Sequence, residues 1–190
     1  MPPAFFDSRV YNGLTTRWKR ITHDPNVMTG NPLDILLEHD RWANRQMIEA
    51  CAKLTEEQFH RRFEMGPGSL HDTMTHVLGA QRRWGDMLAG REQRPRLEDA
   101  RRTAAELLAL LEEISADFAT SARAHPPEGE VVGSRGGKSY TFTRGGIITH
   151  VATHGMHHRA QCLNMLRQIG VNPLPPSAVV EWIHLADTKA

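Results

Sequence analysis

Apolar residues recur at intervals of three, four and seven along four long stretches of the chain. An α-helix turns once every 3.6 residues, so positions at these intervals form one apolar stripe on a helix surface. In the first stretch the stripe consists of Leu36, Ala43, Met47, Ala50 and Leu54. The same spacing predicts long helices over residues 31–54, 69–88, 97–124 and 145–170.

Glycine and proline mark the ends of these helices. Gly66-Pro67-Gly68 breaks the chain before the second helix, Pro126-Pro127 ends the third, and Gly170 stands where a helix C-terminus commonly has glycine. Prolines follow Gly170, and a short last helix is expected over residues 178–185.

Residues 128–144 have a different pattern. Val131-Val132 and the stretch from Tyr140 to Thr143 flank a glycine-rich run, which predicts two short strands or extended arms around a turn. Residues 1–31 show little periodicity and are expected to form an N-terminal arm, with residues 32–190 as a single domain. The predicted fold class is therefore all-α: an antiparallel four-helix bundle with a short extended or hairpin segment before the last long helix.

Composition and charge exclude several classes of protein. Lys and Arg (23) nearly cancel Asp and Glu (22) for a formal net charge of +1, so a nucleic-acid partner is not expected. No apolar run approaches the roughly 20 residues that cross a bilayer, and the first residues do not resemble a signal peptide. The two cysteines, Cys51 and Cys162, are expected to be buried thiols in a reducing cytoplasm.

Histidine is the unusual component, with eleven residues in 190. Four of them lie in the last long helix, at positions 150, 154, 157 and 158. Residues four apart differ by about 40° around a helix, and both His154 and His158 lie on the face of the apolar stripe. Two imidazoles on one inward face can reach the same metal ion.

A metal ion explains this pair better than packing does. Burying an imidazole without a partner costs roughly 1–3 kcal/mol, which a bound ion offsets. The alternative is a core histidine beside one that bonds a backbone carbonyl. A third ligand must come from another helix, where the candidates are His39, His71 and His76. His76 lies at the edge of the second stripe, whereas His71, in the first turn of that helix, is expected to be exposed.

Three segments of the chain resemble the DinB (damage-inducible) family, whose members include thiol-dependent transferases and isomerases. Trp42-Ala43-Asn44 in the first helix is similar to the opening helix of the family. The second helix is similar to the family's segment with a lone ligand histidine. In the last long helix, ITHVATHGMHHRAQ is similar to the family's H…H…HHRGQ signature. The resemblance implies His76, His154 and His158 as metal ligands, a four-helix bundle, and often a homodimer. Ala160 replaces a glycine that is frequent in the family, on the outer face of the helix.

Other residues near the histidines have more than one interpretation. His150 either bonds a metal ligand or a substrate group, or is a surface or helix-start histidine. His157 is expected to face outward or to line an interface, and Gln161 is expected to orient a ligand. Trp84 either shapes a pocket or packs in the core, and the same applies to Trp42. Cys162, four residues after His158, is a candidate fourth ligand, but it lies further round the helix than His158 and is not expected to bind the ion.

Three histidines with an open position are typical of a catalytic metal site. Such a site indicates a metal-dependent enzyme acting on a small molecule, for example a hydrolase, and the resemblance to the DinB family adds low-molecular-weight-thiol transfer as the other expected reaction. The catalytic residues are left unassigned. The alternative is a non-catalytic dimeric protein that binds metal or a small ligand, or serves in a stress response. Three neutral imidazoles accept Zn, Ni, Fe, Co or Mn, so the metal is left open. Broad apolar faces on the first and third long helices suggest the dimer interface.

Overall fold

The computed structural model describes residues 30–135 and 137–187. The predicted arm therefore lies outside the described residues except for its last two positions. The described chain is mostly helical, with one two-stranded antiparallel sheet. Its elements are α1 (Pro32–Cys51), α2 (Glu56–His60), α3 (Leu70–Leu88), a 3-10 turn (Leu97–Asp99), α4 (Ala104–Arg123), β1 (Glu130–Arg135), β2 (Lys138–Thr143), α5 (Arg144–Gln168) and α6 (Val179–Asp187).

Polar side chains cap the starts of the long helices. The side chains of Asn31, Ser69, Thr103 and Thr143 accept hydrogen bonds from backbone N–H groups in the first turns of α1, α3, α4 and α5. These N–H groups have no partner within the helix, so each cap stabilises its helix start by about 1 kcal/mol. The ends of the elements are thus set by the local sequence.

The four long helices pack around one another, each against two neighbours. α1 and α3 both contact α4 and α5, whereas α1 and α3 share few contacts. The predicted stripes lie inside this arrangement, and the largest apolar cluster draws on all four helices, for example through Met47, Leu78, Leu111 and Met165. This packing brings α3 and α5, which carry the candidate ligands, side by side. In the described part of the chain, no helix is long and apolar enough to cross a membrane.

The hairpin predicted before the last long helix is confirmed. β1 pairs with β2 antiparallel, with Val131 opposite Phe142 and Gly133 opposite Tyr140. Val131 and Phe142 pack against the apolar cluster between α3, α4 and α5, whereas Val132, on the other face, is 69% exposed. The hairpin therefore lies against the end of the helices with one face inward.

The third long helix begins later than the sequence predicted. Residues 97–99 form a separate 3-10 turn, and α4 begins at Ala104 after a capping box between Thr103 and Glu106. Leu97 is 2% exposed and anchors the turn in the core. Because the capping box begins a new helix, the preceding residues are free to fold over α3, where they reach the candidate site.

Candidate metal centre

Three histidines meet between α3 and α5. His76 lies in the middle of α3, and His154 and His158 lie one turn apart on α5. His154 Nε2 is 3.2 Å from His76 Nε2 and 3.1 Å from His158 Nε2. Among the described residues, these three form the group of His, Cys, Asp or Glu side chains compact enough to hold a metal ion. We refer to them as the three-histidine cluster.

The spacing of the cluster suits a metal ion. Two imidazole nitrogens that bind zinc at 2.0–2.1 Å in tetrahedral geometry are about 3.4 Å apart, close to the observed distances. Hydrogen bonding alone does not satisfy the cluster, because His154 Nε2 has one position for a proton and faces two other nitrogens. A cation that accepts all three lone pairs removes this conflict, so the three histidines suit a metal ion.

Two neighbours outside the cluster direct the lone pairs toward it. His158 Nδ1 donates to the amide oxygen of Gln161 at 2.8 Å, which leaves the His158 Nε2 lone pair free. His76 Nδ1 lies 3.4 Å from Glu98 Oε1, and a carboxylate can only accept, so the His76 proton is favoured on Nδ1. Outer partners of this kind fix the ring orientation of metal-binding histidines.

Glu98 is itself held in place. Arg83 Nη1 donates to both Glu98 oxygens, at 3.0 and 3.1 Å. Gly79 on α3 makes room for the carboxylate, since a Cβ there would lie 3.0 Å from Glu98 Oε2. Burial tends to raise the pKa of Glu98, but hydrogen bonds to its carboxylate, including that from Arg83, hold the pKa below its usual value. Glu98 is therefore a charged partner for His76.

The electrostatics of the cluster favour neutral imidazoles. Burial, followed by the neighbouring rings of His158 and His76, lowers the pKa of His154 to about 4. Burial also lowers the pKa of His158, although the hydrogen bond to Gln161 opposes this. Neutral imidazole is the form that binds a metal, so the cluster is ready for a cation at neutral pH.

Aromatic rings extend from the cluster to the hairpin. His150 lies 5.5 Å from His154 and 5.2 Å from Trp84 between ring centroids, and Trp84 lies 5.5 Å from Phe142. Tyr140 continues the series at 6.3 Å from Phe142 and is 44% exposed. We call Tyr140, Phe142, Trp84 and His150 the ring row. His150 itself is exposed.

The structure separates the other histidine candidates from the cluster. The expected exposure of His71 is wrong: it is 4% exposed, its Nε2 accepts from the backbone N–H of Arg102, and its Nδ1 lies 2.9 Å from Asp72 Oδ1. The turn that follows residue 97 covers His71. A continuous third helix, as the sequence predicted, would not have placed these residues over His71. His39 instead contacts the carbonyl of Ser177.

Three further expectations can be compared with the structure. His157 is exposed, as expected, and its Nε2 accepts from Gln161 Nε2 at 3.1 Å. Cys162 is fully buried, its thiol contacts Met74 Sδ at 3.7 Å, and burial raises the pKa of that thiol well above its usual value, which disfavours a metal-binding thiolate. Trp42 packs with Trp182 in a core cluster rather than at the site.

A buried ion pair next to the cluster joins α5 to α1. Arg159 Nη1 donates to Asp40 Oδ1 at 2.5 Å and to Asn44 Oδ1 at 2.9 Å, and Asn44 Nδ2 donates to Asp40 Oδ2 at 3.0 Å. Arg159 is 2% exposed and directly follows His158 in the chain. The pair fixes the rotation of α5 about its axis and hence the direction of His158. Sequence reasoning had not identified it.

Two comparisons with known proteins bear on this arrangement. The family model described as the DinB family matches residues 28–182, well over half of the chain and including all three histidines of the cluster. No curated protein matches the chain.

Proposed function

This chain belongs to the DinB family, and on that premise we propose that it is a metal-dependent enzyme whose divalent ion is held by the three-histidine cluster. The observation that carries the proposal is the convergence of three Nε2 atoms, with His154 Nε2 at 3.1 and 3.2 Å from the other two. The packing of each long helix against two neighbouring long helices supports an antiparallel four-helix bundle of the family type.

Three protein ligands leave a position for water or substrate on a tetrahedral ion. Such an ion lowers the pKa of bound water, polarises a carbonyl or binds a thiolate. The reaction we propose is therefore hydrolysis, or transfer to or from a low-molecular-weight thiol, with a small molecule as substrate. Zn, Ni, Fe, Co and Mn all suit three imidazoles, so the donor set does not select the metal.

The residues around the cluster have distinct parts in this proposal. Gln161 and Glu98 hold His158 and His76 in the ligating tautomer, and Arg83 keeps Glu98 in place. The ring row offers aromatic surface to the part of a substrate that does not react. His150 is the member of the ring row that lies next to the cluster, where its exposed imidazole can exchange a proton with a bound molecule.

One observation favours the alternative of a non-catalytic protein that binds metal or a small ligand, or acts in a stress response. The carboxylate at the cluster, Glu98, is engaged by Arg83 and lies against His76, so it is poorly placed as a general base. Turnover assays separate the two functions, because a binding protein would hold metal and ligand without converting them.

A symmetric homodimer remains a proposal from the family resemblance. The apolar faces of α1 and α4 that suggested an interface are buried within the chain, and the large apolar side chains exposed in the described part lie on the hairpin, α5 and α6. Light scattering at micromolar concentration is expected to give twice the chain mass, and a monomer would remove this proposal.

The test of the enzyme proposal is a turnover assay on untagged protein loaded with each candidate metal. A panel of electrophiles with low-molecular-weight thiols, and a panel of esters and amides, cover the two reaction types. His158→Ala is expected to abolish turnover, whereas His125→Ala, which removes an exposed histidine after α4, should leave it unchanged. Activity that survives in His158→Ala would exclude the cluster as the active site.

A further inference from the structure

Gln161 lies between two histidines of α5 and contacts both. Its amide oxygen accepts from His158 Nδ1 at 2.8 Å, and its amide nitrogen donates to His157 Nε2 at 3.1 Å. The hydrogen bond to Nδ1 keeps the lone pair of His158 on Nε2, toward the rest of the cluster. A change in the position of the Gln161 amide would therefore change the tautomer and direction of His158.

The backbone of Gly66 lies directly against that amide. A Cβ at position 66 would lie 2.2 Å from Gln161 Oε1 and 2.9 Å from its Cδ, distances at which one of the two must move. Gly66 also has a positive φ of 50°. The space that the missing side chain leaves is thus occupied by the oxygen that binds His158.

The loop that carries Gly66 is fixed from several sides. Phe63 and Met65 pack against the largest apolar cluster of the core. The backbone N–H of Phe63 donates to the carbonyl of Gly68 at 2.7 Å, and that of Gly68 to Met65 at 2.9 Å. Because the loop is anchored on both sides of position 66, the amide of Gln161, at the end of a flexible side chain, is the group that would yield.

We propose that Gly66 is a positioning residue for the metal site: by leaving room for the Gln161 amide, it fixes His158 in the tautomer that presents Nε2 to the ion. This inference rests on the proposed function for its effect on metal binding, but its effect on the His158 tautomer is independent of any metal. It assigns a role in ligand geometry to a loop between α2 and α3 that supplies no ligand.

The test compares Gly66→Ala with Gly90→Ala. Gly90 also has a positive φ, of 65°, but a Cβ there would meet nothing within 4 Å. Both variants therefore strain the backbone alike, and only Gly66→Ala displaces Gln161. Gln161→Ala and the double variant Gly66→Ala/Gln161→Ala complete a double-mutant cycle. Circular dichroism checks that each variant is folded.

The expected result is a loss of about 10- to 100-fold in zinc affinity for Gly66→Ala and for Gln161→Ala, with no further loss in the double variant. Gly90→Ala should bind zinc like the wild type. If Gly66→Ala matches Gly90→Ala, or if the losses of Gly66→Ala and Gln161→Ala add in the double variant, the proposal is overturned.

A second readout keeps the inference testable without metal. Nitrogen-15 NMR of the metal-free protein should show the His158 proton on Nδ1 in the wild type and in Gly90→Ala, and a mixture of tautomers in Gly66→Ala and Gln161→Ala. A wild type that binds no zinc but shows this pattern would overturn the proposed function and leave the role of Gly66 intact. An unchanged tautomer in Gly66→Ala would overturn that role whatever the wild type binds.

Discussion

Removal of the Glu98 carboxylate is expected to weaken metal binding far more than it weakens the fold. Glu98 Oε1 lies 3.4 Å from His76 Nδ1, and its side chain is 18% exposed. Loss of an outer partner of a ligating histidine typically lowers metal affinity 10- to 100-fold, which corresponds to about 1.4–2.7 kcal/mol. The ion pair with Arg83, whose side chain is 27% exposed, should contribute only about 0.2–1 kcal/mol to the free energy of unfolding.

The assay for Glu98 is a competition titration with a chromophoric zinc chelator on Glu98→Ala and Glu98→Gln. Glu98→Gln should lose less affinity than Glu98→Ala, because an amide oxygen keeps a partial negative charge beside His76 Nδ1, whereas alanine leaves none. Glu113→Ala is the matched control, since Glu113 is 67% exposed and lies 3.8 Å from Arg94. Urea unfolding of the metal-free variants measures the cost to the fold separately.

Two results would refute the reasoning about Glu98. Wild-type zinc affinity in Glu98→Ala would show that the carboxylate does not orient His76. An unfolding free energy that falls by as much as the metal-binding free energy would show instead that Glu98 acts through the fold.

Three further predictions follow from the site and its surroundings. The metal-free protein should lose stability as the pH falls from about 6.5 to about 4. In this range His154 of the unfolded chain binds a proton, whereas His154 of the folded chain, with a pKa of about 4, stays neutral. A melting temperature that stays constant over this range would contradict the prediction. Arg159→Met should lower the free energy of unfolding in urea by about 3–5 kcal/mol, because the buried Asp40 carboxylate loses its cationic partner. Asp40→Leu in the same chain should restore much of that stability. Tyr140→Ser should weaken binding of thiophenol to the zinc-loaded protein by about two- to tenfold in a calorimetric titration, whereas Val132→Ser, on the opposite face of the hairpin, should not.

Much of the fold could be predicted because its signals are local. The predicted second helix begins at the residue that caps α3, Ser69, and the two strands predicted on either side of the glycine-rich run pair with each other. The spacing of His154 and His158 on one helix fixes their common face, so their meeting could be expected from the sequence. The choice of His76 depended on the family resemblance, because the relation between two helices is not encoded in the periodicity of either.

The outer contacts of the site could not be predicted, because they depend on where irregular segments lie. Glu98 belongs to a 3-10 turn that periodicity assigned to a long helix, and only the packing of Leu97 places it over α3. Gly79 was the sequence feature that could have indicated the contact with Glu98, since a glycine inside a helix often marks a close approach by another group. Gly66 was identified only as a break, and its contact with Gln161 joins residues 95 positions apart.

Metal analysis of untagged protein tests directly whether the three-histidine cluster holds an ion. After dialysis against zinc and removal of free ion, the wild type should retain one zinc per chain, with a nitrogen shell at about 2.0–2.1 Å in X-ray absorption. His158→Ala should retain none while keeping its helical circular dichroism, because the apolar core does not depend on the ion. A wild type without stoichiometric zinc, or zinc retained in His158→Ala, would contradict the account.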